Sequence, residues 1–192
     1  MKTKNNQLSE IIRLYKVFLD QCKIKTRLSR LSDNSSETIA AHSWSASVLA
    51  MVVAKMLELP AEEELALLKL VIMHDTVEAL SGDIPSSMYG EYKELAGYKE
   101  LVEEQARNLL PQDLGIAQFA DSQYAVFLDP KYKAMLDAVD KLDWVLQQVA
   151  TCGLVHGPKV VKGSIVTTKA KLLAAGLDDS FVEAVGKAME QL

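Results

Sequence analysis

Leu65-Ala66-Leu67-Leu68-Lys69-Leu70-Val71-Ile72-Met73-His74-Asp75-Thr76-Val77-Glu78-Ala79-Leu80 decides the fold. From Leu65 to Met73 only Lys69 is polar, so the segment reads as a helix apolar nearly all round, buried at the centre of a domain. Glu62, Glu63 and Glu64 stand in its first turn, where the helix dipole favours acids, and Pro60 opens it. The predicted span is about 61–80. At 100° per residue, His74 and Glu78 continue the face of Leu67 and Val71, and Asp75 continues that of Leu68 and Ile72. A carboxylate on a buried stripe costs several kcal/mol, roughly, unless it is paired or neutralised. A divalent cation meets that need, because imidazole and carboxylate both bind it directly. The plainer reading is a core histidine hydrogen-bonded to its neighbours, and the dipeptide alone does not decide between them.

Outward from this stretch the chain reads as helices. Leu8 to Gln21 repeats apolar residues on one face, 31–38 is loop chemistry, and Ser43 to Leu59 is a nearly uncharged helix. Ser81 to Ser87 is a turn, 93–110 a helix closed by Pro111, and 111–130 a mixed connection. A long helix over Tyr132 to Cys152 follows. Then come a loop or short hairpin from Gly153 to Gly163 and two helices over about 165–175 and 179–191, with Gly176 as the cap between them. Trp44 and Trp144 fall in apolar helical patterns and are expected in the core. No pair of alternating runs reads as strands, so the class is all-α, a single domain over 1–192.

Composition narrows the function. With 192 residues, 49% apolar and 24% charged, the chain matches ordinary globular proteins and has room for a real core. A net charge of −5 argues against a groove for nucleic-acid polymers. Cys22 and Cys152 are too few for a thiolate metal cage or a disulfide scaffold. Met1 to Gln7 has no apolar core behind it, so no signal peptide is expected. The longest apolar run, Val48 to Ala54, is too short for a bilayer. A cytoplasmic protein with no membrane partner is the expectation.

Only three histidines are present: His42, His74 and His156. Any metal site must therefore lean on carboxylates. His42 follows the polar loop, and Asp140 lies in the apolar pattern Ala138-Val139-Asp140-Lys141-Leu142-Asp143. Asp137 and Asp143, at helical spacing on either side, read as polar-face or supporting groups. His156, in a Gly-flanked loop, reads as surface.

His42, then His74-Asp75, then Asp140 resembles the H…HD…D signature of the HD phosphohydrolase superfamily. The segment His74-Asp75-Thr76-Val77-Glu78 to Gly82-Asp83-Ile84-Pro85 is similar to the HDxxE…GD(I/L)P segment of its 5′-deoxynucleotidase branch, the oxetanocin-resistance-like proteins. Glu37 five residues before His42, Arg27 fifteen before it, and Lys99 to Pro111 with its Leu-Leu-Pro ending also resemble that branch. The likeness covers about residues 8–150.

The resemblance implies a five-helix HD core with additional C-terminal helices. It implies one divalent metal held by His42, His74, Asp75 and Asp140, with Co²⁺ or Mn²⁺ typical and Mg²⁺, Zn²⁺ or Fe²⁺ as other candidates. It implies hydrolysis of (deoxy)nucleoside 5′-monophosphates by a metal-activated water, and a homodimer. Arg27 would hold the phosphate, and Glu78 and Asp83 would share the acid and base work. Dinuclear HD enzymes recruit further histidines between the HD pair and the last Asp. None lies between 75 and 140 here, so one metal is expected. Residue 41 is Ala where the branch carries Asp or Glu before its first histidine, so a carboxylate that would orient His42 is either missing or supplied from elsewhere. Leu28 and Arg30 occupy the stretch where relatives carry a sugar-contacting Trp, which leaves sugar selectivity open. The alternatives are an HD phosphodiesterase or (p)ppGpp-type hydrolase, and a non-catalytic nucleotide-binding module.

Overall fold

Thr38 starts the helix that carries His42. Its Oγ1 accepts the Ala41 N–H at 3.1 Å, capping helix α2 (Ile39–Met56). This computed structural model describes residues 10–24, 37–82, 92–121, 124–125, 128–152 and 158–191. The other helices are α1 over 10–22, α3 (Ala61–Met73), α4 (Glu78–Ser81), α5 (Lys93–Leu109), α6 (Pro130–Cys152), α7 (Pro158–Ala174) and α8 (Asp179–Gln191). Two short 3-10 turns, Gln112–Leu114 and Ala117–Ala120, fill part of the connection before α6. Every regular element among the described residues is helical, as the periodicity indicates.

Three boundaries differ from expectation. Helix α2 begins four residues before Ser43, because the Thr38 cap sits inside what reads as loop composition. Helix α7 begins at Pro158, in a stretch that reads as loop or hairpin, since a proline fits the first helical turn where no N–H is needed. Residues 153–157, including His156, lie outside the described residues.

The third difference bears on the site. Helix α3 stops at Met73 rather than running on to Leu80. The chain continues in i→i+3 turns, with Thr76 N–H donating to Met73 O at 3.0 Å and Glu78 N–H to Asp75 O at 2.9 Å. At three residues per turn, positions i and i+3 stack, so Glu78 lines up behind Asp75 rather than His74. Gly82 then ends α4 at φ 76° and ψ 153°, its N–H donating to Glu78 O at 2.8 Å.

By packing, the chain divides into two units of interleaved segments. Of the described residues, one comprises 10–24, 37–41, 73–82 and 92–121. Its core gathers Phe18 and Cys22 of α1 with Ile39, Val77, Ala106 and Leu110. The middle of α1, Tyr15–Leu19, is wound as a π-helix, and Arg13 reaches across to donate to the Leu109 carbonyl. Gln112 Nε2 donates to the Arg107 and Leu110 carbonyls, both at 3.1 Å, and so closes α5.

Of the described residues, the other unit comprises 42–72, 124–125, 128–152 and 158–191. Helix α7 packs against α6 and α8. Lys131 Nζ reaches Glu63 at 2.6 Å and Lys169 Nζ reaches Glu183 at 2.5 Å. Asp178 caps α8, accepting the Phe181 N–H at 2.9 Å. Leu67, Leu70 and Val71 of α3 are buried, but Leu65 and Ile72 are half exposed, so α3 is not the all-round buried helix the composition suggests. Trp44 is 73% exposed and stands outside the core, whereas Trp144 is half-buried under Lys141. Helix α2 has the length and apolarity of a membrane span, a test that core helices also pass; its inner face buries His42, Ala46, Ala50 and Val53.

Candidate metal centre

His42 lies in the first turn of α2 and is fully buried. Its Nδ1 is 2.7 Å from Asp143 Oδ2, and its Nε2 is 3.2 Å from Asp140 Oδ1. Asp140 and Asp143 stand one turn apart on α6 and so address the same ring from one helix face. In the neutral ring with Nδ1–H donating to Asp143, Nε2 presents its lone pair. That lone pair faces an oxygen of Asp140. Two electron-pair donors at this range repel unless a positive centre, a proton or a metal cation, lies between them.

His74 and Asp75 follow the end of α3, at the first tight turn. His74 Nε2 is 3.2 Å from Asp75 Oδ1, and both side chains are about nine-tenths buried. The same separation thus recurs in a second nitrogen–oxygen pair. Two ligands about 2.1 Å from a shared ion stand roughly 3.0 Å apart at a right angle and roughly 3.4 Å apart at the tetrahedral angle. Both pairs fall in that window. Each offers one ring nitrogen and one carboxylate oxygen, the donor set that a borderline divalent ion takes. The residues present fit a metal.

Glu78 opens α4, its side chain 5% exposed. Its Oε1 lies 3.5 Å from Lys99 Nζ on α5. Cys22 is buried against the same turn, with Sγ 4.0 Å from the Thr76 carbonyl. Burial, and then the negative charges of Asp75 and Glu78, push its thiol from an ordinary 9.0 up to about 11.

Of the residues singled out in the sequence, the structure brings His42 against Asp140, and His74 against Asp75 with Glu78 one tight turn on. Arg27 and Asp83 lie outside the described residues. Asp137 pairs with Lys133 at 2.5 Å, away from the histidine. Asp143 is the residue whose role the sequence left open. Its signal was the spacing of one helical turn beyond Asp140, together with the missing acid at position 41.

A family model described as an HD domain matches residues 19–178. Among solved structures, a protein of Magnetospirillum magnetotacticum MS-1 described as a predicted metal-dependent phosphohydrolase aligns with a TM-score of 0.63. It shares 20% identity over 96% of this chain and 92% of its own. A protein of Pyrococcus horikoshii OT3 aligns at 0.62, with 20% identity over 96% of this chain and 98% of its own. At that identity the likeness is one of fold. No curated protein matches the sequence.

Proposed function

The chain belongs to the HD-domain family, and from that premise we propose that it is a metal-dependent phosphohydrolase that cleaves (deoxy)nucleoside 5′-monophosphates to nucleoside and phosphate. The reading rests on the two nitrogen–oxygen pairs, His42 with Asp140 and His74 with Asp75, each spaced as donors that share a cation. In this reading the four side chains hold one divalent ion, Co²⁺ or Mn²⁺ by preference. The family match runs through segments of both packing units, which supports treating 1–192 as one domain.

When bound, the ion supplies a Lewis acid that polarises a phosphoryl oxygen and makes water a better nucleophile at neutral pH. The protein's part is placement and proton handling. Asp143 holds the His42 ring in the tautomer that offers Nε2. As a water oxygen bonds to phosphorus, the ester P–O bond breaks; Glu78 accepts the proton of the attacking water. Asp83 gives a proton to the departing 5′-oxygen, and Arg27 forks onto the phosphate and offsets its charge. These last two roles come from the resemblance of the sequence segments that carry them. The branch further suggests a cytoplasmic homodimer whose substrate is a small nucleotide, with neither a nucleic-acid polymer nor a membrane as partner.

The test is phosphate release. The protein is stripped with chelator, reloaded with Co²⁺, Mn²⁺ or Mg²⁺, and offered ribo- and deoxyribonucleoside 5′- and 3′-monophosphates, a cyclic dinucleotide and ppGpp. Metal-dependent release from the 5′-monophosphates alone is expected. Turnover of the cyclic dinucleotide or ppGpp instead moves the chain to the diesterase or pyrophosphohydrolase class. Silence on every substrate with tight nucleotide binding moves it to a non-catalytic module.

A further inference from the structure

Lys99 is pressed against the acid–base candidate. It sits on the second turn of α5 with its side chain 22% exposed. Its Nζ lies 3.5 Å from Glu78 Oε1 and 3.1 Å from Glu103 Oε1, the latter one turn further along the same helix. The ammonium therefore bridges a carboxylate on a long helix and a carboxylate on the tight turn that follows Asp75. A buried carboxylate without a partner cation is expensive and chooses its own rotamer. Asp75 stands one tight turn away, and Lys99 brings a positive charge beside Glu78 from outside the turn. Glu103 in turn fixes the lysine's direction, because a side chain with four rotatable bonds is held far better by two carboxylates than by one.

We propose that Lys99 is a positioning residue for the hydrolysis: with Glu103 as its anchor, it clamps the Glu78 carboxylate, at the start of α4, in the orientation that takes the water's proton. The role rests on the phosphohydrolase reading above. Lys99 touches neither substrate nor metal in this account. It acts through Glu78, and that dependence is what an experiment reads.

The experiment is a double-mutant cycle in the full chain, with Lys99→Met, Lys99→Gln and Lys99→Arg each made alone and on a Glu78→Gln background. Three readouts are taken: kcat and KM on the turned-over 5′-monophosphate, Co²⁺ affinity by calorimetry, and the urea midpoint. Losing the lysine is expected to lower kcat about tenfold or more, a fraction of what a general base contributes. KM and Co²⁺ affinity should stay within about twofold, and Lys99→Arg should recover kcat to within about threefold, since a guanidinium also bridges two carboxylates. On the Glu78→Gln background, Lys99→Met should change kcat less than about twofold, because coupled residues do not add. Lys99→Gln keeps the side chain polar and guards against a Lys99→Met protein that fails to fold. If Glu78→Gln is inactive but Lys99→Met and Lys99→Gln turn over like wild type, the clamp is overturned and the phosphohydrolase reading stands. An equal loss on both backgrounds overturns the clamp as well. Glu78→Gln with wild-type turnover removes Glu78's own role and the clamp with it. A wild type that hydrolyses nothing removes the phosphohydrolase reading itself.

Discussion

His42 Nδ1 lies 2.7 Å from Asp143 Oδ2, across 101 residues of chain. With Nδ1–H donating to Asp143, the neutral ring turns its Nε2 lone pair toward Asp140, 3.2 Å away. The Asp143 bond also answers a question posed by the sequence. Ala41 leaves no acid beside the first histidine, and α6 supplies one from its far end of the sequence instead. Asp143→Asn keeps the shape and removes the charge. It is predicted to weaken Co²⁺ binding by about tenfold or more while leaving the fold intact. Calorimetric titration of the chelator-stripped variant checks this; an unchanged affinity shows that Asp143 only fills space.

Gly82 is predicted to be irreplaceable on backbone grounds alone. At φ 76° and ψ 153° it occupies a region that essentially only glycine visits, yet a Cβ there would meet nothing within 4 Å among the described residues. Gly82→Ala should therefore cost about 1–3 kcal/mol of stability through backbone strain. Urea unfolding reads this directly. A loss below about 0.5 kcal/mol, the ordinary scatter for surface changes, contradicts the assigned backbone geometry.

Cys22 is predicted to be inert. Its thiol is buried, and burial first, then Asp75 and Glu78, raise it to about 11. In a Cys152→Ser background, the metal-free folded protein should resist thiol-specific disulfide reagents at pH 8 and react in urea. The sign with pH follows. The unfolded thiol ionises near 9.0 and the folded one near 11, so between them the unfolded chain holds fewer protons and stability falls as pH rises. Cys22→Ala should flatten that decline. Rapid labelling of the folded protein at pH 8 contradicts the burial.

The helical class was legible because apolar residues recur at helical spacing in segment after segment, and that pattern survives local errors. The His74-Asp75 dipeptide was legible for the same local reason. Boundaries were less so. Thr38 caps α2 from within a polar loop, and a single hydroxyl does not stand out there. The change from α-winding to i→i+3 turns after Met73 leaves no mark in hydropathy, so helical periodicity lines Glu78 up with His74, where the turns line it up with Asp75. Trp44 reads as core by periodicity, but period alone does not say which stripe of an apolar helix is covered, and it is exposed. The approach of His42 to Asp140 and Asp143 is a tertiary fact. No spacing rule reports it, and only the family likeness suggested the first of the two. The pairing of Lys99 with Glu78 is of the same kind: two charges 21 residues apart that only a folded turn brings together.

The account stands on one cation shared by four named side chains, so the decisive measurement counts ions. Metal content and calorimetric stoichiometry are taken for the chelator-stripped protein reloaded with Co²⁺, and for His42→Ala, His74→Ala, Asp75→Ala and Asp140→Ala. One ion per wild-type chain, lost or bound at least about a hundredfold more weakly in each of the four variants, is the predicted result. Two ions per chain, or tight binding that survives the loss of either histidine, contradicts it.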